Sequence, residues 1–174
     1  MTKAKLLQPD FVLGKTITHL HPEILQRYQL KGLVLDVDET LVPFRELDVS
    51  PELQQWVAEI RPQMPIWLVS NNLSEARIGR IAQSLDLPFL FGAAKPSRRK
   101  LRQAIDQMGL EVARVAMVGD RLFTDVLAGN RLGMFTILVE PMVLGDVQHP
   151  RFSIRNFEVW ISSFCGVTLH HSQH

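Results

Sequence analysis

The sequence predicts an α/β fold, with a mainly parallel, five-stranded sheet covered by helices on both faces. Three observations lead there. Short apolar runs recur along the 174 residues, and each is apolar at nearly every position, as a strand buried on both faces requires. Segments with helical spacing of apolar residues separate the runs, and such alternation builds a parallel sheet within three layers. The runs end in polar or acidic residues, and sheets of this kind bind ligands beyond the carboxyl ends of their strands.

"GLVLDV" (32–37) is the first run and "PIWLVS" (65–70) the second. Between them Ser50 and Pro51 pair an N-cap with a first-turn proline, and Leu53, Trp56, Val57 and Ile60 follow at helical spacing. Ser74 caps the next helix, which carries Ile78, Ile81, Ala82 and Leu85. "PFLFG" (88–92) is a shorter strand candidate. Pro96 opens a helix with Leu101, Ala104, Ile105 and Met108, ended by Gly109. "VAMVGD" (115–120) is the next strand, Thr124 to Leu132 a further helix stopped by Gly133, and "FTILVE" (135–140) the last strand. Trp56 and Trp67 fall at core positions.

Lys and Arg number 19 against 18 Asp and Glu, so the net charge of +1 predicts no general affinity for nucleic acid. Hydrophobic residues make up 46% and charged residues 21%, a soluble globular balance, and the length suits one domain over residues 1–174 with its core at about 28–142. Cys165 is the sole cysteine, which excludes an intramolecular disulfide and fits a reducing compartment. The N-terminal "MTKAKLLQPDF" lacks a signal-peptide apolar segment, and no stretch approaches the roughly 18 apolar residues of a spanning helix. A cytoplasmic protein, at most peripheral to a membrane, is expected.

The residues that end the strands are Asp36 and Asp38, Ser70 with Asn71, and Asp120, while Lys95 follows the short strand. Residues i and i+2 of a strand share a face, so Asp36 and Asp38 point together while Val37 points inward. Two carboxylates so close repel unless one is protonated or a cation lies between them. Asp120 and Asp125 bring further acid to the same rim. Oxygen ligands without a nearby His or Cys suit a hard ion, Mg²⁺ first among them. Lys95 adds an opposing charge, and Ser70 and Asn71 add neutral donors. Together these groups describe phosphoryl transfer, which runs on positioning and charge neutralisation.

Four motifs carry a family resemblance. "DVDET", "LVSNN", "AAKPS" and "MVGDRLFTD" resemble, in order, the four motifs of the haloacid-dehalogenase (HAD) superfamily, and within it the YqeG-type branch of subclass III A phosphatases. That branch is related to the phosphatidylglycerophosphate phosphatases of mitochondria and chloroplasts. The likeness runs from about residue 7 to residue 142 and implies a HAD-like Rossmannoid sandwich. It implies Asp36 as nucleophile through an aspartyl-phosphate, and Asp38 as the acid and then the base. Ser70 and the Asn71 backbone would hold the phosphoryl group and Lys95 would offset its charge. Mg²⁺ would be bound by the Asp36 carboxylate, the Asp38 carbonyl and Asp120, with Asp125 in support. Glu39 departs from the pattern, since YqeG-type members usually carry Asn there, and "DVDET" is also similar to phosphoprotein phosphatases.

Asp36 and Ser70 stand 34 positions apart, and Ser70 and Lys95 stand 25 apart. A helix and a strand fill each interval, so the fold should be capless and its site open to a phosphate on something large. The leading expectation is a Mg²⁺-dependent phosphatase acting on phosphatidylglycerophosphate. The alternatives are a phosphoprotein phosphatase, and a non-catalytic binding protein on a degenerate form of the fold, against which the full set of acids argues. The run "KPSRRKLR" (95–102) reads as a solvated helix face, or as Arg98, Arg99, Lys100 and Arg102 meeting an anionic membrane. Ile154, Phe157, Trp160, Ile161 and Phe164 predict a helical extension over about 150–166, packed on the core or against a membrane surface.

Overall fold

The computed structural model describes residues 3–142. The expected helix over about 150–166 lies outside the described residues. The strands are β1 (Phe11–Val12), β2 (Gly32–Leu35), β3 (Ile66–Val69), β4 (Phe89–Leu90), β5 (Val115–Gly119) and β6 (Phe135–Leu138). They form one open sheet in the order β1-β6-β5-β2-β3-β4, and every pairing is parallel. The α-helices are α1 (Lys3–Leu6), α2 (Pro22–Arg27), α3 (Pro51–Ile60), α4 (Glu75–Leu85), α5 (Arg99–Met108) and α6 (Leu127–Leu132).

The central strand shows why apolar runs were needed. All four residues of β2 are buried, and its alternating side chains feed two separate cores. Leu33 and Leu35 pack with Leu53 and Trp56 of α3 and with Ile78 and Ile81 of α4. Val34 packs on the opposite face with Leu101, Ala104 and Ile105 of α5 and Ala128 of α6. Full burial of each such side chain is worth about 1.5–3 kcal/mol.

The caps are local. Ser50 accepts the Leu53 N–H to start α3, and Ser74 accepts the Arg77 N–H to start α4. Gly109 and Gly133 adopt left-handed conformations that end α5 and α6. Trp56 is buried and donates its Nε1–H to Leu20 O at 2.9 Å; Trp67 is partly buried against the second core.

Three features differ from the sequence expectation. A sixth strand, β1, joins the edge beside β6, pairing Phe11 with Ile137. It has only two residues, and Asp10 anchors it by accepting the Thr136 N–H and Oγ1–H at 2.8 and 2.9 Å. Helix α5 starts at Arg99, not Pro96, because Ala93 and Lys95 are first tied by their N–H groups to Ser70 O and Asn71 Oδ1. The helix expected from Thr124 opens instead with a wide π-helical turn, Leu122–Val126, before α6.

The order of strands reverses between β2 and β5, since β3 and β4 lie on one side of β2 while β5 and β6 lie on the other. A crevice opens at the carboxyl end of the sheet at such a point. Helix α3 alone spans the β2–β3 interval and α4 alone the β3–β4 interval, so neither holds an inserted domain. Among the described residues no helix is long and apolar enough to cross a membrane.

Candidate active site

Asp36 directly follows β2, and its N–H still donates to Val118 O of β5 at 2.9 Å, so the sheet itself sets its place. Lys95 reaches it from the loop after β4. The lysine Nζ donates to Asp36 Oδ1 at 2.6 Å and to Val69 O at 2.8 Å, and lies 2.8 Å from Asp125 Oδ1. All three charged groups are buried. Thr40 Oγ1 donates to Asp120 Oδ1 at 2.9 Å and approaches Asp36 Oδ2 at 3.5 Å. A hydroxyl has one proton, so the shorter contact takes it.

Burial raises the Asp36 carboxyl from 3.8 to about 7; Asp125 and Asp120 add to the rise and Lys95 opposes it. Burial also raises Asp120 to about 6, again with Asp125 adding to it and Arg121 opposing it. Burial alone would lower Lys95, but Asp125 and Asp36 beside it more than reverse this, and its ammonium is held above the ordinary lysine value. The lysine thus stays charged while the acids resist ionising together.

This excess of acid is what a cation would relieve. Carboxylate oxygens of Asp36, Asp120 and Asp125 lie within 4.8 Å of one another. Asp125 Oδ1 is buried, and among the described residues its partner is the Lys95 ammonium at 2.8 Å. Two buried acids and a partly buried third facing one lysine, all offering oxygen, fit a hard divalent ion.

Asp38 turns to the other side. Its Oδ1 accepts from Arg77 Nε and Nη2 at 3.2 and 2.9 Å, and its Oδ2 accepts from Ser70 Oγ and Asn72 Nδ2, both at 3.2 Å. Arg77 also donates to Pro43 O at 3.3 Å and to Glu46 O, binding the loop after β2 to α4. The Asp38 carboxylate is therefore apart from the acidic cluster.

Every candidate residue read from the sequence lies at this end of the sheet, in two groups. Asp36, Lys95, Asp120 and Asp125 form one, and Asp38 and Ser70 the other. Asn71 serves the first group from outside. Its Oδ1 accepts the Lys95 N–H at 2.7 Å and its Nδ2 donates to Lys95 O at 3.2 Å, clamping the backbone that aims the lysine. Sequence reasoning did not single out Thr40, Asn72 or Arg77. Thr40 and Asn72 stand inside quoted motifs, so their signal was available; Arg77 looks like any polar residue on α4. Glu39 has a left-handed backbone, φ 68°, a conformation that Asn adopts more readily. Its carboxylate accepts the Phe44 N–H at 3.2 Å and closes the turn.

A cavity of about 820 Å³ lies elsewhere, lined among others by Thr16, His19, Glu46, Trp56 and Met142. None of the site carboxylates lines it, and Glu46, Asp48, Glu52, Glu59 and Glu140 on its walls make it a poor host for a phosphate.

A family model described as HAD-hydrolase-like matches residues 92–150. The chain is 36% identical over 154 residues to a protein named "Probable phosphatase YqeG" from Bacillus subtilis, covering 88% of each. It is 28% identical over 169 residues to the chloroplastic phosphatidylglycerophosphate phosphatase 1 of Chlamydomonas reinhardtii, covering 91% of this chain but 62% of that longer protein. The fold is similar to that of an uncharacterized protein from Listeria monocytogenes serotype 4b, with a TM-score of 0.52 at 14% identity, over 70% of this chain and 88% of that one. The chain belongs to the HAD-like phosphatases, a family of phosphoric monoester hydrolases, and is close to YqeG and to the phosphatidylglycerophosphate phosphatases.

Proposed function

We propose that this phosphatase is Mg²⁺-dependent, works through an aspartyl-phosphate on Asp36, and acts on a lipid phosphate, phosphatidylglycerophosphate, from the cytoplasmic side of a membrane. The observation that carries the chemistry is the buried Asp36–Lys95 pair, 2.6 Å apart, with Asp120 and Asp125 facing it at the switch of the sheet. Asp36, Asp120, Asp125 and the Asp38 carbonyl would hold the ion, which when bound neutralises the acids and draws charge from the transferring phosphoryl group.

An Asp36 carboxylate oxygen attacks phosphorus, and the P–O bond to the leaving alcohol breaks as Asp38 gives that oxygen a proton. Water then attacks the phosphorus, Asp38 takes its proton, the P–O bond to Asp36 breaks, and inorganic phosphate leaves. Lys95 aims Asp36 and keeps positive charge beside the phosphoryl group. The N–H of Asn71 serves as its neutral donor, joined by Ser70 Oγ when its single proton turns from Asp38 to the phosphoryl oxygen. Arg77 keeps Asp38 on the leaving-group side.

The lipid reading is supported by the phosphatidylglycerophosphate phosphatase among the relatives and by a site with no inserted domain above it. The test is a phosphatase assay on phosphatidylglycerophosphate in mixed micelles, with a soluble aryl phosphate and a phosphopeptide alongside. Asp36→Asn is expected to abolish turnover of all of them while staying folded. Chelator should remove activity and excess Mg²⁺ restore it. Substantial activity in Asp36→Asn refutes the nucleophile, and good phosphopeptide turnover with none on the lipid moves the substrate to phosphoproteins.

A further inference from the structure

Among the described residues, the exposed large apolar side chains are Phe44 at 58%, Leu47 at 38%, Leu73 at 83% and Phe123 at 48%. Each sits on a segment leaving the carboxyl end of β2, β3 or β5. Those same segments carry Asp38, Asn72 and Asp125. Single exposed hydrophobics are ordinary on a protein surface; a set confined to the mouth of the active site marks an interaction surface.

Cations stand beside two of these apolar tips, one of them, Arg121, lying 3.7 Å from Asp120. Arg45 follows Phe44, Arg121 lies two residues before Phe123, and both are exposed. Beside the Lys95 segment, a concavity of about 460 Å³ is lined by Ser97, Arg98, Arg99, Arg102, Arg131 and Leu132. No carboxylate among the described residues pairs with any of its four arginines. Arg98 Nη1 donates to Arg131 O at 3.1 Å and Arg131 Nη1 to Pro96 O at 3.2 Å, which ties α5 to α6 and leaves Arg99 and Arg102 exposed. Lys100 is engaged differently, with Nζ 5.5 Å from the centre of the Phe91 ring. Two acids flank Leu47: Asp48 is paired with Arg80 at 3.0 Å, and Glu46 lines the neighbouring acidic cavity.

Exposed apolar tips with cations nearby, of which Arg45, Arg99 and Arg102 pair with no carboxylate among the described residues, complement one partner above others, an anionic lipid bilayer with its charged headgroups over hydrocarbon. We propose that the carboxyl edge of the sheet docks on such a bilayer. Phe44, Leu47, Leu73 and Phe123 enter the interface and Arg99 and Arg102 meet the headgroups, so that a lipid phosphate reaches Asp36 without leaving the membrane. This deepens the lipid-phosphate reading and rests on it for its purpose, while docking itself is measured without turnover.

The experiment is sedimentation of the full chain with vesicles of phosphatidylcholine alone and of phosphatidylcholine mixed with phosphatidylglycerol. The variants are Leu73→Asp and the double variant Arg99→Gln, Arg102→Gln, all at exposed positions that the core does not need. The unaltered chain should bind the mixed vesicles and not the neutral ones. Each arginine at an anionic leaflet is worth about fivefold in affinity, so the double variant should bind roughly 25-fold more weakly. Leu73→Asp should weaken binding about tenfold or more, since it puts a like charge where an apolar group entered. Hydrolysis of a soluble aryl phosphate should stay near normal in both variants; should the unaltered chain itself lack that hydrolysis, the phosphatase reading fails while docking is still read. Absence of binding to mixed vesicles overturns the proposal, as does equal binding by all three proteins. A dimer formed without vesicles and dissolved by Leu73→Asp also overturns it, and assigns the edge to self-association.

Discussion

Gly119 ends β5, and Asp125 folds back over it. A Cβ at Gly119 would stand 2.7 Å from Asp125 Cβ and overlap its carboxylate, whereas nonbonded carbons keep about 3.5–4.0 Å apart. In Gly119→Ala, Asp125 must recede by about 1 Å, which separates it from Lys95 Nζ, now at 2.8 Å, and from the Arg121 N–H that its Oδ2 accepts at 3.2 Å. Crowding of this kind costs about 1–3 kcal/mol, or roughly 2–4 °C in Tm per kcal/mol for a chain of this size. The chemical cost is larger, because a 1 Å misplacement in a catalytic constellation is worth about 100-fold. The assay is kcat/KM on a soluble aryl phosphate across a Mg²⁺ titration, with circular dichroism to confirm folding. A folded Gly119→Ala protein should lose about 100-fold in kcat/KM and need more Mg²⁺. Unchanged kcat/KM and Mg²⁺ dependence in the folded variant would refute the role given to Asp125.

Two further outcomes follow from the same geometry. Asp36 and Asp120 have raised pKa values, about 7 and about 6, so the stability they contribute to the metal-free protein is fully present below the ordinary value near 3.8 and is lost as pH rises through about 6 to 7. Metal must displace those protons, so the Tm gain on adding Mg²⁺ should grow between pH 5 and pH 8; an equal gain at both ends, measured by calorimetry, would contradict the site. Arg77→Ala should lower kcat on the aryl phosphate about tenfold or more, because Asp38 loses two of its hydrogen bonds. Its Mg²⁺ requirement should stay unchanged, since Asp38's carboxylate is apart from the acidic cluster, and a raised requirement would show that the two groups are not separate.

Which residues reach the carboxyl end of the sheet was legible from the strand pattern alone. Strand burial is periodic, so Leu33, Val34 and Leu35 had to alternate between two cores and Asp36 and Asp38 had to emerge at the strand's end. The helices α3 and α4 were legible for the same local reason, through Ser50 and Ser74 as caps and apolar faces at helical spacing. What no local pattern carries is who faces whom across the chain. Strand β1 exists because Asp10 meets Thr136, 126 positions away. Arg77 matters because α4 brings it to Asp38, 39 positions back, and nothing in its own neighbourhood separates it from Arg80, which pairs with Asp48 on the surface. The motif assigns the Asn71 backbone to the phosphoryl group and says nothing of its side chain, which holds the Lys95 backbone. The basic run divides in a way its composition could not foretell: Arg98 ties two helices together, Lys100 lies over Phe91, and Arg99 and Arg102 stay exposed. Side-chain chemistry and spacing decided the kinds of group at the site, but their pairing depends on how the strands are ordered in the sheet, and that order is settled only when both cores close.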